Sequence, residues 1–263
     1  MTGDTDTGAP TDKTSGKDDA WLITCEHGGN EVPAAWAALF TSHQALLESH
    51  RGWDPGALEL AKDMASALDV PLFAATTTRL LIDLNRSIGH RQLHSEATRG
   101  LPLGTRREIA GQYYRPYRDK VEAEVARLIG QGRRVVHVAS HSFTPELNGV
   151  VRNADIGWLY DPRRPAEPAI ALQWMAALKP ARPDLRLRRN YPYQGKGDGL
   201  TSLLRKRHGP DVYVGMELEV NQRFVLAGGE AWNTLRADIV HALVYSRRTW
   251  RNSWPRAGYE AGL

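Results

Sequence analysis

The sequence has a single cysteine, Cys25, so no internal disulfide can form and the thiol content gives no reason to expect an oxidising compartment. No apolar run approaches the roughly 18 residues that cross a bilayer, and no apolar segment opens the chain. Neither a membrane span nor a secretory leader is therefore expected, and the cytoplasm is the expected location. Internal repeats, low-complexity core segments and an interdomain linker are also absent. At 263 residues this favours one large α/β domain over two small ones. Residues 1–19 carry almost no apolar side chain, so burial could not offset the entropy of ordering them. They are expected to form a disordered tail, with the domain occupying 20–263.

The chain is 41% hydrophobic, which is ample for a buried core. Its formal charge of +4 and isoelectric point near 9.2 resemble those of a nucleic-acid binder. The arginines, however, are scattered and accompany no recognition motif, so a solvated basic surface and no nucleic-acid partner are expected.

Apolar runs at Trp21–Thr24, Val70–Ala74, Val135–Ala139, Ile156–Tyr160 and Tyr213–Val220 predict strands. Helical spacing predicts helices over Ala34–His50, Pro55–Leu68, Glu108–Gln131, Glu167–Leu178, Asp198–Arg207 and Glu230–Arg248. Arg79–Leu84 is a further apolar segment that reads as a strand, and Ser87–Thr105, lacking periodicity, reads as a long loop. Strands alternating with helices predict a mixed or largely parallel sheet with helices on both faces.

Two histidines stand at predicted strand ends, where α/β proteins keep their chemistry: His27 in Cys25-Glu26-His27-Gly28-Gly29-Asn30-Glu31, and His141 in Ser140-His141-Ser142. A hydrolytic zinc site needs three protein ligands and an open position for water. The two imidazoles supply two, and Asp54, on a turn before a helix, is a candidate third. Each also has a plain reading: a loop histidine, a turn histidine and a helix cap. Glu217, Glu219 and Asn221 alternate along one strand face, which is either solvated or lines a polar cleft holding a general base. Asp83, Asn85 and Arg86 form either an anion-gripping group or a surface ion pair. The Gly-rich stretch Asn190–Gly199 lacks phosphate-loop spacing and reads as a substrate-covering loop or a connection.

In this order, Cys25-Glu26-His27-Gly28-Gly29-Asn30, Trp53-Asp54, Asp83-Leu84-Asn85-Arg86, His141-Ser142-Phe143-Thr144-Pro145 and Gly215-Met216-Glu217-Leu218-Glu219 resemble the N-formylglutamate amidohydrolase family. The resemblance spans about Trp21 to Arg248. It implies kinship with zinc carboxypeptidases and succinylglutamate desuccinylases, and so a single α/β domain of the phosphorylase/hydrolase-like, zinc-exopeptidase-like type. It further implies one zinc ion held by His27, His141 and a carboxylate. Zinc carboxypeptidases place that carboxylate three residues after the first histidine, where this chain has Asn30; Asp54 is preferred here, with Glu26 and Glu31 as alternatives. The resemblance implies Glu217 as the water-activating base and Asn85-Arg86 as the grip on a substrate carboxylate. Arg79 is a candidate for a further contact to the oxyanion or carboxylate, or a plain surface arginine. The expected substrate is a small N-formyl or N-acyl amino acid such as N-formylglutamate. Alternatives are a deacylase or carboxypeptidase-like hydrolase of another N-acyl amino acid or small peptide, and a non-catalytic small-molecule binder of the same fold.

Overall fold

The computed structural model describes residues 19–250. Most of the expected tail lies outside the described residues, but Asp19 does not behave as tail: it is buried and pairs with Arg134 at 2.7 Å. In chain order the elements are β1 (Ala20–Cys25), α1 (Gln44–Leu47), α2 (Ala57–Leu68), β2 (Leu72–Ala74), α3 (Leu103–Ile109), α4 (Arg115–Gly130) and β3 (Val135–Phe143). There follow β4 (Glu146–Leu147), β5 (Val150–Val151), β6 (Ile156–Leu159), α5 (Ala166–Leu178), β7 (Leu187–Arg189), α6 (Leu200–Arg207), β8 (Tyr213–Asn221), α7 (Gln222–Ala227) and α8 (Gly229–Trp250).

Six strands form one mixed sheet in the order β2-β1-β3-β8-β6-β7, and β4 and β5 form a separate hairpin. β2, β1, β3 and β8 run parallel, whereas β6 is antiparallel to β8 and carries β7 parallel to itself. The carboxyl ends of β1, β3 and β8 therefore open on one edge of the molecule, side by side. The strand period of two divides their side chains between two cores. Trp21, Ile23, Val138, Met216 and Leu218 face α2, α5 and α8, while Leu22, Val135 and Tyr213 face α4 and α6. By the same alternation His141, Glu217 and Glu219 fall on the α4/α6 side.

Three local expectations are corrected. Ala34–His50 is not one helix but a 3-10 turn over Ala34–Phe40 and the single turn α1, the chain pausing at Thr41-Ser42. Arg79–Leu84 forms turns rather than a strand. Its Leu80, Leu81, Ile82 and Leu84 are drawn into a third core with Phe40, Ile109 and Tyr114. The helix expected from Glu108 begins five residues earlier, at Leu103, and passes through a π turn over Ala110–Tyr114 before α4. Within α4, Arg118, expected outside, lies on the same buried face as Val121 and Val125. Its guanidinium lies 5.3 Å from the Tyr114 ring, and its Nη1 donates to the Leu84 carbonyl at 3.0 Å.

Candidate active site

His27 follows β1 where the strand stops after Cys25, and its carbonyl accepts the Asp54 backbone N–H at 2.9 Å. That bond ties the turn before α2 to the end of β1. Asp54 does not cap α2; Gly56 holds that position with φ +79°, and a Cβ there would meet Val225 Cγ2 at 2.5 Å. A side chain is thus excluded twice, by conformation and by space. His141 lies in β3 directly beside Glu219 of β8 in the parallel register, and Glu217 pairs with Ala139 one step back.

These placements bring His27, Asp54 and His141 together, all buried, with one ligating atom from each lying within 4.8 Å of the others. Asp54 Oδ2 stands 3.4 Å from His27 Nδ1 and 2.9 Å from His141 Nδ1. The outer nitrogens face carboxylates. His27 Nε2 donates to Asp83 Oδ1 at 2.8 Å, and His141 Nε2 lies 3.1 Å from Glu26 Oε2, close enough to pair but not aligned as a hydrogen bond. With Nε2 bonded to Asp83, His27 has Nδ1 toward Asp54; that atom is buried and has no hydrogen-bond partner among the described residues. Arg79, which also lines the pocket over the cluster, braces the group, with Nη1 to Asp54 Oδ1 at 3.2 Å and Nη2 to Asp83 Oδ2 at 2.7 Å.

Burial alone would raise each of these carboxyls, but the neighbouring histidines and Arg79 outweigh it. His27 and His141 with Arg79 hold Asp54 well below the ordinary range, and Arg79 with His27 does the same for Asp83. His141 holds Glu26 at about 2. Burial would lower His141, yet Asp54 and Glu26 together raise it well above its usual value. The donor set fits a divalent cation. Bonds of 2.0–2.1 Å in a tetrahedral site put ligand atoms about 3.3 Å apart, near the 3.4 and 2.9 Å from Asp54 Oδ2 to the two Nδ1 atoms. The orphaned Nδ1 and the surplus of buried carboxylate are the features such an ion would satisfy.

Neither expected alternative for the carboxylate ligand stands at this point. Glu26 sits behind His141 and also accepts the Tyr117 hydroxyl at 3.0 Å. Glu31 is exposed and accepts from Thr76 Oγ1 at 2.6 Å. Nor does the expected Asp83–Arg86 surface pair form, because Arg79 and His27 occupy Asp83.

A cavity of about 460 Å³ opens over the cluster, and both Glu217 and Glu219 line it, so their shared face is a cleft and not a solvated surface. Glu217 Oε1 accepts from Thr201 of α6 at 3.0 Å. Glu219 is buried, and its Oε2 has no hydrogen-bond partner. Burial, with Asp54 and Glu217 adding repulsion against the pull of His141, raises its carboxyl to about 8. Arg86 also lines the cavity, and its Nη1 reaches only the Asp198 carbonyl at 3.4 Å. Asn85 Oδ1 accepts the Leu200 N–H at 2.8 Å, so half of its amide is spent on starting α6. The loop expected as a cover supplies Tyr193, Gln194, Gly197 and Asp198 to the wall. Glu26, expected as an alternative ligand, and Asp83, expected in a group with Asn85 and Arg86, instead face the outer nitrogens of the two histidines, a placement that their position within the motifs did not indicate.

Residues 19–226 match the family model described as N-formylglutamate amidohydrolase, well over half of the chain. The chain belongs to the N-formylglutamate amidohydrolase family. Membership supports a hydrolase acting on amide bonds. Among solved structures, a gene product of Agrobacterium tumefaciens is 26% identical with a TM-score of 0.75, covering 89% of this chain and 92% of its own. An N-formylglutamate amidohydrolase from Ralstonia eutropha is 18% identical with a TM-score of 0.66, covering 90% of this chain and 96% of its own, a likeness of fold. No protein of curated function matches the chain. Among the described residues no helix is long and apolar enough to cross a membrane.

Proposed function

We propose that this member of the family is a zinc-dependent amidohydrolase that removes an N-formyl or other N-acyl group from an acidic amino acid, N-formylglutamate being the type case. The observation that carries the reading is one carboxylate, Asp54, set between two imidazoles whose outer nitrogens are faced by Asp83 and Glu26. His27, Asp54 and His141 would hold the ion, and when bound it would polarise the scissile carbonyl and acidify the attacking water.

The chain's own residues supply the rest. Glu219, beside His141 and without a hydrogen bond on Oε2, is better placed than Glu217 to take a proton from the attacking water and return it to the leaving nitrogen. Glu217, tied to Thr201, orients the wall of the cleft. Arg86, whose guanidinium makes one hydrogen bond among the described residues, to a carbonyl at 3.4 Å, grips the substrate carboxylate, helped by the amide nitrogen of Asn85. Arg79, committed to Asp54 and Asp83, positions the ligands from the wall of the cleft.

The test is an acylase assay over several N-acyl amino acids with the zinc-loaded protein. Formate release from N-formylglutamate is expected, falling about 10²- to 10⁴-fold in Glu219→Gln and far less in Glu217→Gln. If the larger loss fell on Glu217→Gln, the base assignment would reverse. Activity confined to other acyl groups would change the substrate and keep the chemistry. No activity on any N-acyl compound would favour a non-catalytic binder.

A further inference from the structure

Away from the metal pocket, one concavity has strongly unbalanced charge. The segment after Arg86 lies against the first half of the long helix, and a cavity of about 670 Å³ separates them. Five arginines line it, Arg91, Arg99, Arg106, Arg107 and Arg115, with neither a lysine nor an acid among the lining residues. Arg106, Arg107, Ala110, Gly111 and Arg115 all line it too, so one continuous face of α3, the π turn and the start of α4 is turned toward it.

None of the five guanidinium groups makes an ion pair or side-chain hydrogen bond among the described residues. Glu96, an acid close by in the chain, is taken by Arg51 at 2.7 Å. Arg106 Nε is buried without an acceptor. A merely solvated basic surface spreads its charges and interleaves them with acids. Here five like charges line one concave wall, Arg106 half-buried and Arg91, Arg99, Arg107 and Arg115 exposed, an arrangement whose potential favours a bound anion. Ile88 and Leu103, half exposed, and buried Leu93 provide an apolar side to the same cavity.

We propose that this arginine-walled cavity binds a small molecule carrying two or more phosphate groups, with its apolar part against Ile88, Leu93 and Leu103. Guanidinium forks match phosphate oxygens in pairs, and condensed phosphates bring several charges within the length of one small ligand. The volume falls within the 300–1,000 Å³ usual for small-molecule sites. A polynucleotide would instead ask for an open basic track. A middle cavity of about 330 Å³ shares Arg91, His94 and Arg99 with this site and His50, Arg79 and Arg86 with the metal pocket, so the two sites are neighbours in one trough.

Isothermal titration of the metal-free full chain with tripolyphosphate and with ATP, at fixed ionic strength, tests the proposal. One equivalent should bind, much more tightly than inorganic phosphate. Binding should weaken by about tenfold or more in Arg99→Gln and in Arg106→Gln and persist in Asp54→Asn, which separates this site from the amidohydrolase reading. A melting curve for each variant checks that it remains folded, and Arg106→Lys, which keeps the charge but not the fork, should fall between. The proposal is overturned if tripolyphosphate binds no better than phosphate, if folded glutamine variants bind as tightly as the parent, if Asp54→Asn abolishes binding, or if a single-stranded oligonucleotide is preferred.

Discussion

Asp54 Oδ2 is the residue-scale centre of the site, because both imidazoles address the same oxygen. Removing an outer partner should loosen that arrangement without dismantling it. Asp83→Asn or Glu26→Gln is expected to weaken zinc binding by about 10- to 100-fold, read by competition with a coloured chelator; unchanged affinity in both would refute the bracing role. Glu219 yields a pH prediction. Its carboxyl is raised to about 8 in the folded metal-free protein against an ordinary value of 4.5, so the folded state binds the extra proton between these values. Stability present below pH 4.5 is therefore lost as pH rises toward 8. Compared with the parent in chelator, Glu219→Gln should gain melting temperature progressively over that window, and a difference independent of pH would contradict it. At this scale the two histidines, Asp54 and Arg86 were legible because they end apolar runs or stand beside turns. Asp83 and Glu26 were not, since nothing in a linear sequence shows that a carboxylate faces the far side of a ring. Arg79 was visible as a candidate contact, but its commitment to two aspartates depends on turns that apolar spacing had suggested were a strand.

At the scale of elements, β8 does two jobs with one period. Met216, Leu218 and Val220 fill the core under α5 and α8, while Glu217 and Glu219 line the cleft. The faces separate experimentally. Leu218→Ala should cost roughly 2–5 kcal/mol of stability while the remaining folded fraction keeps its zinc affinity, measured by urea unfolding and metal titration together. A loss of metal in proportion to the lost stability would show that the faces are not independent. Continuous apolar runs are why β1, β3 and β6 could be read from the chain, and in β8 a run interrupted by alternate carboxylates. β7, with its sequence Leu187-Arg188-Arg189, and the two-residue strands β4 and β5 offered no apolar pattern to read. The π turn was equally hidden.

At the scale of the whole molecule, the parallel register is what converts five separated motifs into one site. It sets the ends of β1, β3 and β8 side by side, and the turns after β2 and before α2 deliver Asp83 and Asp54 to them. The alternation of elements conveyed the fold class, but not this convergence, which arises from contacts between residues 27, 54, 83 and 141. We propose that this convergence holds a metal. The direct measurement is zinc content and affinity of the purified chain beside Asp54→Asn and His141→Ala. One tightly bound equivalent is predicted for the parent, with a higher melting temperature on binding and neither property in the variants. A parent that holds no stoichiometric zinc and does not take it up when zinc is supplied would contradict the account.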